Sequence, residues 1–355
     1  MLAMVLSLAA CGGSKPAQTP DPAPAEEPKI LKIGVLTMLN TSEEEMASYF
    51  KAVVMATQAI AEAGKADDAM ADNGEAEPET IEREVIFYDS LDAMLMALNA
   101  GDIDIMNIYN STANYLVANN DKLVKTITYE YSEENTLSSM LIRAILVNSF
   151  SFMMMEGRED LRDEFNDAIA SMKDDGTLDR FIKEQMVDIV DGKEIKAVEM
   201  PVNEGAETIK VAITGSLPPM DYVAADGTAA GYNTAVLAEI SKRIGKNIEL
   251  VVVDSIGRAA ALASGTVDAV FWTRTSDPSN KAAASTPEEL QAFMAEKKST
   301  MTEEEKELIA ALKEYFVWRE FGQKDMPEGT IITDSYFKDS IVPVMTKDFL
   351  ESMPK

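Results

Sequence analysis

The sequence predicts an α/β chain folded as two lobes of matching plan, and three observations carry that prediction. A chain of 355 residues, 46% apolar and 26% charged, can bury a sizeable core, and its length suits two domains. Two segments match each other, VIFYDSLDAMLMALNAGDIDIMNIYNST (85–112) and LVVVDSIGRAAALASGTVDAVFWTRT (250–275). Each is preceded by a further apolar strand, LKIGVLT (31–37) in one case and IKVAIT (209–214) in the other.

The elements can be read in order. Short apolar runs ending at Asp89 and Asp254 read as buried parallel strands, because they are bounded and lack polar alternation. A helix comes after each run and stops at Gly101 or Gly265, where a C′ residue must adopt positive φ. A further apolar strand then completes a β-α-β unit in each copy. Helices are also predicted from Glu43 to about Ala63, and from Thr234 to Ile244 with Gly245 as C-cap. Residues 62–82 are acidic and poor in apolar residues, which reads as a loop. ASMKDDGTLDRFIKEQM (170–186) reads as the end of an amphipathic helix, a DDG break and a short closing helix. An insertion at 278–328 carries two capping boxes, Thr286 with Glu289 and Thr302 with Glu305. It reads as a helical hairpin whose second helix has an apolar face of Leu308, Ile309, Leu312, Tyr315 and Phe316.

Composition excludes several functions. A net charge of −29 opposes nucleic-acid binding, which needs a surface rich in Lys and Arg. With His 0 and Cys 1, a Ser-His-Asp triad, imidazole zinc ligation and CxxC chemistry are all absent. No cofactor, metal site or catalytic residue is expected. The 22 methionines fall mostly at core-like positions and read as core filling rather than as a soft-metal site. Near the start, the run Leu2 to Ala10 resembles a secretory h-region, and Leu8-Ala9-Ala10-Cys11 resembles the bacterial lipobox. Cys11 is then the lipidation site, and the Pro/Ala-rich stretch 12–29 is an extended tether.

Taken together, these residues resemble the extracytoplasmic solute-binding proteins of the amino-acid ABC-transporter type. That family has the two-lobed type II periplasmic-binding-protein fold, or Venus flytrap. The segment that opens with IKVAITGSLPPMDYVAADGTAAGYN and runs to residue 272 resembles the family's first lobe. LKIGVLT through NSTANYLVANN resembles its second lobe, and residues 151–186 resemble its crossover strand and terminal helices. TDSYFKDSIVPVMTKDF (333–349) resembles the strand that leaves the first lobe for the second. The order here is second lobe (30–150), closing elements and linker (151–206), then first lobe (207–355), as a circular permutation would produce. Two truncated binding modules in tandem are the rival organisation.

The resemblance implies a site in the cleft between the lobes, outside the carboxyl ends of the strands. From the first lobe it draws Asp221 and Tyr222 after Pro218-Pro219, together with Trp272, Thr273 and Arg274 at the end of a strand. From the second it draws Asn40, Thr41 and Ser42 at a helix start, and Tyr109 and Asn110. Tyr and Trp can stack on a ligand, and Arg can grip a carboxylate in a bidentate manner. Family members that bind α-amino acids carry an Arg a few residues later, where this chain has Asp277-Pro278-Ser279-Asn280. The family's acidic ligand for an ammonium aligns near Tyr109 and Asn110, neither of them acidic. The expected protein is therefore a lipid-anchored, extracytoplasmic monomer on the outer face of the cytoplasmic membrane. It captures a small polar, amino-acid-like solute for an ABC permease. A membrane-tethered sensor is the alternative, and an enzyme on the same fold such as a dehydratase is the third reading. A buried carboxylate with a raised pKa facing the Tyr222–Trp272 cleft would favour the enzyme.

Overall fold

A computed structural model describes residues 30–36, 83–126, 147–193, 197–223, 227, 229–254, 257–274, 295 and 327–353. Cys11, the tether, the helix predicted from Glu43, Asn40, Thr41, Ser42 and most of the 278–328 insertion lie outside the described residues.

Thirteen strands are described. In the N-lobe, β1 (Leu31–Leu36), β2 (Arg83–Tyr88) and β3 (Ile105–Tyr109) are parallel neighbours, with β1 in the middle. β4 (Leu123–Lys125) and β5 (Val147–Met155) come next. In the C-lobe, β6 (Thr208–Ile213) lies between β10 (Asn247–Val252) and β11 (Ala269–Arg274), again all parallel. A separate small sheet joins β7 (Ser216–Leu217), β8 (Asp221–Val223) and β9 (Ala229–Ala230). β12 (Thr330–Ile332) pairs with β5, and β13 (Phe337–Thr346) pairs with β5, β3 and β4 in turn. The path β10-β6-β11-β5-β13-β3-β1-β2 is thus continuous through both lobes.

The two copies share their local bonding as well as their pattern. In the N-lobe α1 (Leu91–Ala100) ends when Gly101, at φ 79°, donates to Leu98 O and Asp102 N donates to Ala97 O. In the C-lobe α6 (Arg258–Ala263) ends in the same way, with Gly265 at φ 71° donating to Leu262 O and Thr266 N to Ala261 O. These two bonds satisfy carbonyls that the helix end would orphan, and only glycine takes the left-handed turn at no steric cost. Three residues beyond each glycine stands an aspartate with one task. Asp104 Oδ2 accepts from Lys32 N at 2.9 Å, and Asp268 Oδ2 accepts from Lys210 N at 2.8 Å. Each aspartate pins the start of the central strand of its lobe.

β5 and β13 are the crossings between lobes. β13 pairs with β5 from Phe337 to Ser340, then with β3 from Ile341 to Val344. The hinge is therefore an antiparallel ribbon of 147–150 against 337–340. Aromatic rings fill it: Phe150 meets Tyr109 edge-on at 4.9 Å, Phe337 at 6.2 Å stacks on Phe150, and Tyr232 lies 4.9 Å from Phe337. Phe150 and Tyr232 are fully buried, so the hinge is part of the core. Met94, Met106, Met154, Met172 and Met220 are also fully buried, which fits their role as core fillers.

The closing helices α3 (Glu159–Asp174) and α4 (Thr177–Ile182) pack on α5 (Tyr232–Ile244) of the lobe that comes after them. Leu161, Phe165, Ala168, Ile169 and Met172 form the buried stripe of α3, at the spacing a helix requires. Arg243 of α5 donates to Ser171 Oγ at 2.6 Å and to Asp175 Oδ2 at 2.7 Å, while Lys246 Nζ bonds Glu164 at 2.6 Å. The linker beyond is stitched to the same lobe, because Asn203 N donates to Asn247 Oδ1 and Asn247 Nδ2 donates back to Asn203 O. No helix among the described residues is long and apolar enough to cross a membrane.

Candidate functional site

The lobes meet where β6 and β11 of one and β3 of the other end. α2 (Asn110–Asn119) starts directly after β3, so its N-terminus faces the C-lobe. Ser111 Oγ donates to Met220 Sδ at 3.5 Å, and the Tyr115 ring lies 6.5 Å from the Tyr222 ring. These contacts join α2 to the loop after β6, across the cleft.

Tyr222 thus sits where the two lobes meet. Its ring is 8% exposed, and its hydroxyl is buried with no hydrogen-bond partner among the described residues. Burial, with Tyr115 close by, pushes the phenol up to about 12, so it is a neutral donor at any ordinary pH. Asp221 beside it is fully buried. Its Oδ2 accepts from Thr214 N, Thr214 Oγ1 and Gly215 N, each at 2.8 Å, which shapes the turn after β6. Its Oδ1 has no hydrogen-bond partner among the described residues. Burial pushes the carboxyl up to about 7, against the opposing pull of Gly215, Thr214 and the Arg258 charge.

The chain beneath this loop leaves no room for another residue at Gly231. At φ 107°, a Cβ there would meet Met220 O at 2.5 Å, and Tyr232 N and Asn233 N donate to Pro219 O and Met220 O. The N-terminus of α5 is therefore filled by its own loop rather than open to an anion. Asn233 is fully buried, accepting from Tyr336 OH at 3.0 Å while its Nδ2 finds no partner among the described residues.

Trp272, Thr273 and Arg274 close β11, whose parallel pairing with β6 sends its carboxyl end toward the cleft. Thr273 is opposite Ser151 and Arg274 opposite Phe150 in the antiparallel ladder with β5; their side chains lie outside the described set. Tyr109 is buried at the hinge with its ring on Phe150, and Asn110 Oδ1 accepts from Lys125 Nζ at 2.6 Å.

Four residues at this boundary are not marked by the sequence pattern. Asp339, on the crossing strand β13, is buried and accepts from Ser111 N at 3.0 Å and from Ser340 N at 2.8 Å. Burial raises its carboxyl to about 6, opposed by Ser111, Ser340 and the nearby Lys125 charge. It caps the N-terminus of α2, where the helix dipole favours a negative charge. An acid therefore does stand near Asn110, but it arrives on a strand 228 residues away from Ser111. Lys125 and Tyr115 complete the N-lobe side, and Arg258 lies beside Asp221 on the other. Sequence spacing could have flagged only Arg258, as the one cation in an alanine-rich helix.

Residues 209–319 match the family model for bacterial extracellular solute-binding proteins, family 3. Over that segment the chain is similar to the family 3 solute-binding proteins that the resemblance names. A comparison with curated proteins gives no match. Among solved structures, a ligand-binding component of an ABC-type import system from Staphylococcus aureus, with zinc bound, aligns at 10% identity. It covers 91% of this chain and 68% of that one, with a TM-score of 0.39. NikA from Staphylococcus aureus in complex with Ni(L-His)2 aligns at 12% identity over 75% of this chain and 57% of that one, TM-score 0.35. An ancestral arginine-binding protein bound to arginine aligns at 11% identity over 91% and 86%, TM-score 0.33. The chain thus spans just over half of the NikA chain.

Proposed function

We propose that this protein captures a small polar, amino-acid-like solute between its two lobes and delivers it to an ABC permease in the membrane. The single observation that carries this reading is the arrangement of the cleft. Tyr222 OH, on β8 just after the β6 loop, lies against Tyr115 of α2 in the other lobe with no hydrogen-bond partner among the described residues, and Asp221 Oδ1 beside it is likewise unpartnered among them. Buried polar atoms left unpaired are costly, and a polar solute that pairs them stabilises the closed form. The two-strand hinge at 147–150 and 337–340 supports closure by rotation of one lobe on the other.

The reading continues to the membrane through Cys11, lipidated and tethered by residues 12–29, which holds a monomeric binding unit on the extracytoplasmic face. The chain order is read as permuted, with closing helices of the first-lobe type preceding the lobe on which they pack. The contacts of α3 and α4 with α5 support this, as does the shared strand order of the halves. An enzyme on this fold draws support from the raised pKa of Asp221. Against it, Asp221 Oδ2 already holds three donors that shape the turn after β6, a structural task rather than that of a general base.

The test is a thermal-shift screen of the chain from Lys29 onward against amino acids, peptides, amines and organic acids. A Tm that rises with solute concentration supports capture through linkage. NMR of the same solute after incubation should show it unchanged; conversion would favour the enzyme. The absence of any Tm rise would contradict the reading.

A further inference from the structure

The hinge carries a buried acid at the point where it passes from one lobe to the other. Asp339 stands opposite Asn148 in the β5 ladder, two residues before β13 takes up its pairing with β3 at Ile341. Its Oδ2 accepts from Ser111 N at the start of α2, and its Oδ1 accepts from Ser340 N. Ser111 Oγ in turn donates to Met220 Sδ of the C-lobe loop, and Met220 is fully buried. Ser111 thus ties the crossing strand to the contact between the lobes, and the C-lobe loop is part of the cover over Asp339. The charges around the acid are few. Lys125 of β4 exerts the leading charge on it, while its ammonium donates to Asn110 Oδ1 and Asn114 Oδ1. β5 has no titratable side chain, β3 and α2 bring only the phenols of Tyr109 and Tyr115, and Lys338 points to the other face of β13. Asp92 of α1 is exposed, as are Lys347, Asp348 and Glu351 of the terminal helix Lys347–Ser352.

We propose that proton binding by Asp339 sets the balance between open and closed lobes, so that mild acid closes the cleft and alkali loosens it. This adds a regulation to the solute-binding reading and rests on closure being the capture step. The sign follows from the cover over the acid. In the closed form burial holds the carboxyl up at about 6, against the bonds from Ser111 and Ser340 and the Lys125 charge. When the lobes part, Met220 leaves Ser111 and water reaches Asp339, which returns the carboxyl toward its ordinary value of 3.8. The closed form therefore holds the proton more tightly, and closure gains as pH falls from above 6 toward 3.8. From about pH 8 to about pH 5 the closing equilibrium should rise about 10-fold. Above that window the two N–H bonds and the dipole of α2 still hold the carboxylate, so closure is weakened rather than abolished.

The experiment measures the separation of the lobes in the full chain with no solute added, across that pH range. Spin labels on Met96→Cys and Val252→Cys, with Cys11→Ser, read it, since both positions are exposed and one lies on each lobe. The short separation of this structure should gain about 10-fold over longer ones from about pH 8 to about pH 5, the rise beginning near 6. The same labels on D339N should give a profile flat in pH, whatever the mean separation. K125M takes away a charge that holds the carboxyl down, so its rise should begin at higher pH. Should D339N fail to fold, K125M and the labelled protein with Asp339 in place decide. A flat profile with Asp339 in place, a D339N profile that still turns near 6, or a K125M profile that does not move each overturn the proposal. None of these measurements uses a solute, so solute capture then stands or falls separately, on the thermal-shift screen at a single pH.

Discussion

Arg243 holds the closing helices to the lobe that comes after them, and its removal has a calculable effect. Its guanidinium bonds Glu239 within α5 and reaches out to Ser171, Asp175 and Thr177. The Glu239 pair is an i,i+4 contact worth about 0.5 kcal/mol. Asp175 is 48% exposed, so solvent screens that ion pair despite its 2.7 Å distance and it adds little. The Ser171 bond adds about 1 kcal/mol, because Arg243 itself is only 19% exposed. Arg243→Ala should therefore cost about 1.5 kcal/mol, or about 0.4 M in urea midpoint with a slope near 4 kcal/mol/M for a chain of this size. A double-mutant cycle of Arg243→Ala with Ser171→Ala isolates the contact between elements, and its coupling should be about 1 kcal/mol. Asp175 is held near 2 by its bonds to Thr177 and Arg243, below its ordinary value of 3.8. A depressed carboxylate contributes stability above its ordinary value and loses it as pH falls through the depressed one. The difference between the two proteins should accordingly shrink below pH 3.8. An unchanged midpoint with zero coupling would refute the claim that α5 anchors the closing helices.

Three further outcomes are expected from the same geometry. Phe150→Ala empties a fully buried position between Tyr109 and Phe337 and should cost about 3–5 kcal/mol, read by denaturant unfolding. Tyr222→Phe removes a buried hydroxyl that has no partner among the described residues. It should leave stability unchanged or slightly higher while weakening solute binding about 10-fold, measured by calorimetry. Asp339 has a pKa raised from 3.8 to about 6, so its contribution is fully present below 3.8 and is lost as pH rises through 6. Asp339→Asn should therefore gain on the unaltered protein across that window, by about 3 kcal/mol at most, in urea unfolding at several pH values.

The parts legible in the sequence are those whose cause is local. Gly101 and Gly265 mark helix ends because a left-handed C′ residue leaves a glycine behind, and Gly245 at φ 68° does the same for α5. The strands ending near Asp89 and Asp254 are legible from their apolar runs, but the expectation that they are buried is corrected: they end the sheet path among the described residues and are only partly covered. The loop that carries Tyr222 was legible because the resemblance there is dense. Asp339 was not, since its burial depends on β13 bringing it to Ser111. Arg258 was visible as a residue, but not its nearness to Asp221, which the loop after β6 brings to it. The expected helix start at Asn40 to Ser42 lies outside the described residues.

The central claim is that a solute bound between the lobes holds them together about the 147–150 and 337–340 ribbon. Its most direct test is a distance between the lobes, from spin labels on Met96→Cys and Val252→Cys with Cys11→Ser. Both label sites are exposed, at 72% and 64%, one on each lobe. With a solute that raises Tm, the distribution should narrow to the separation at which Tyr115 meets Tyr222; without it, longer distances should appear. A distribution that stays the same as the solute saturates its site would contradict capture by closure.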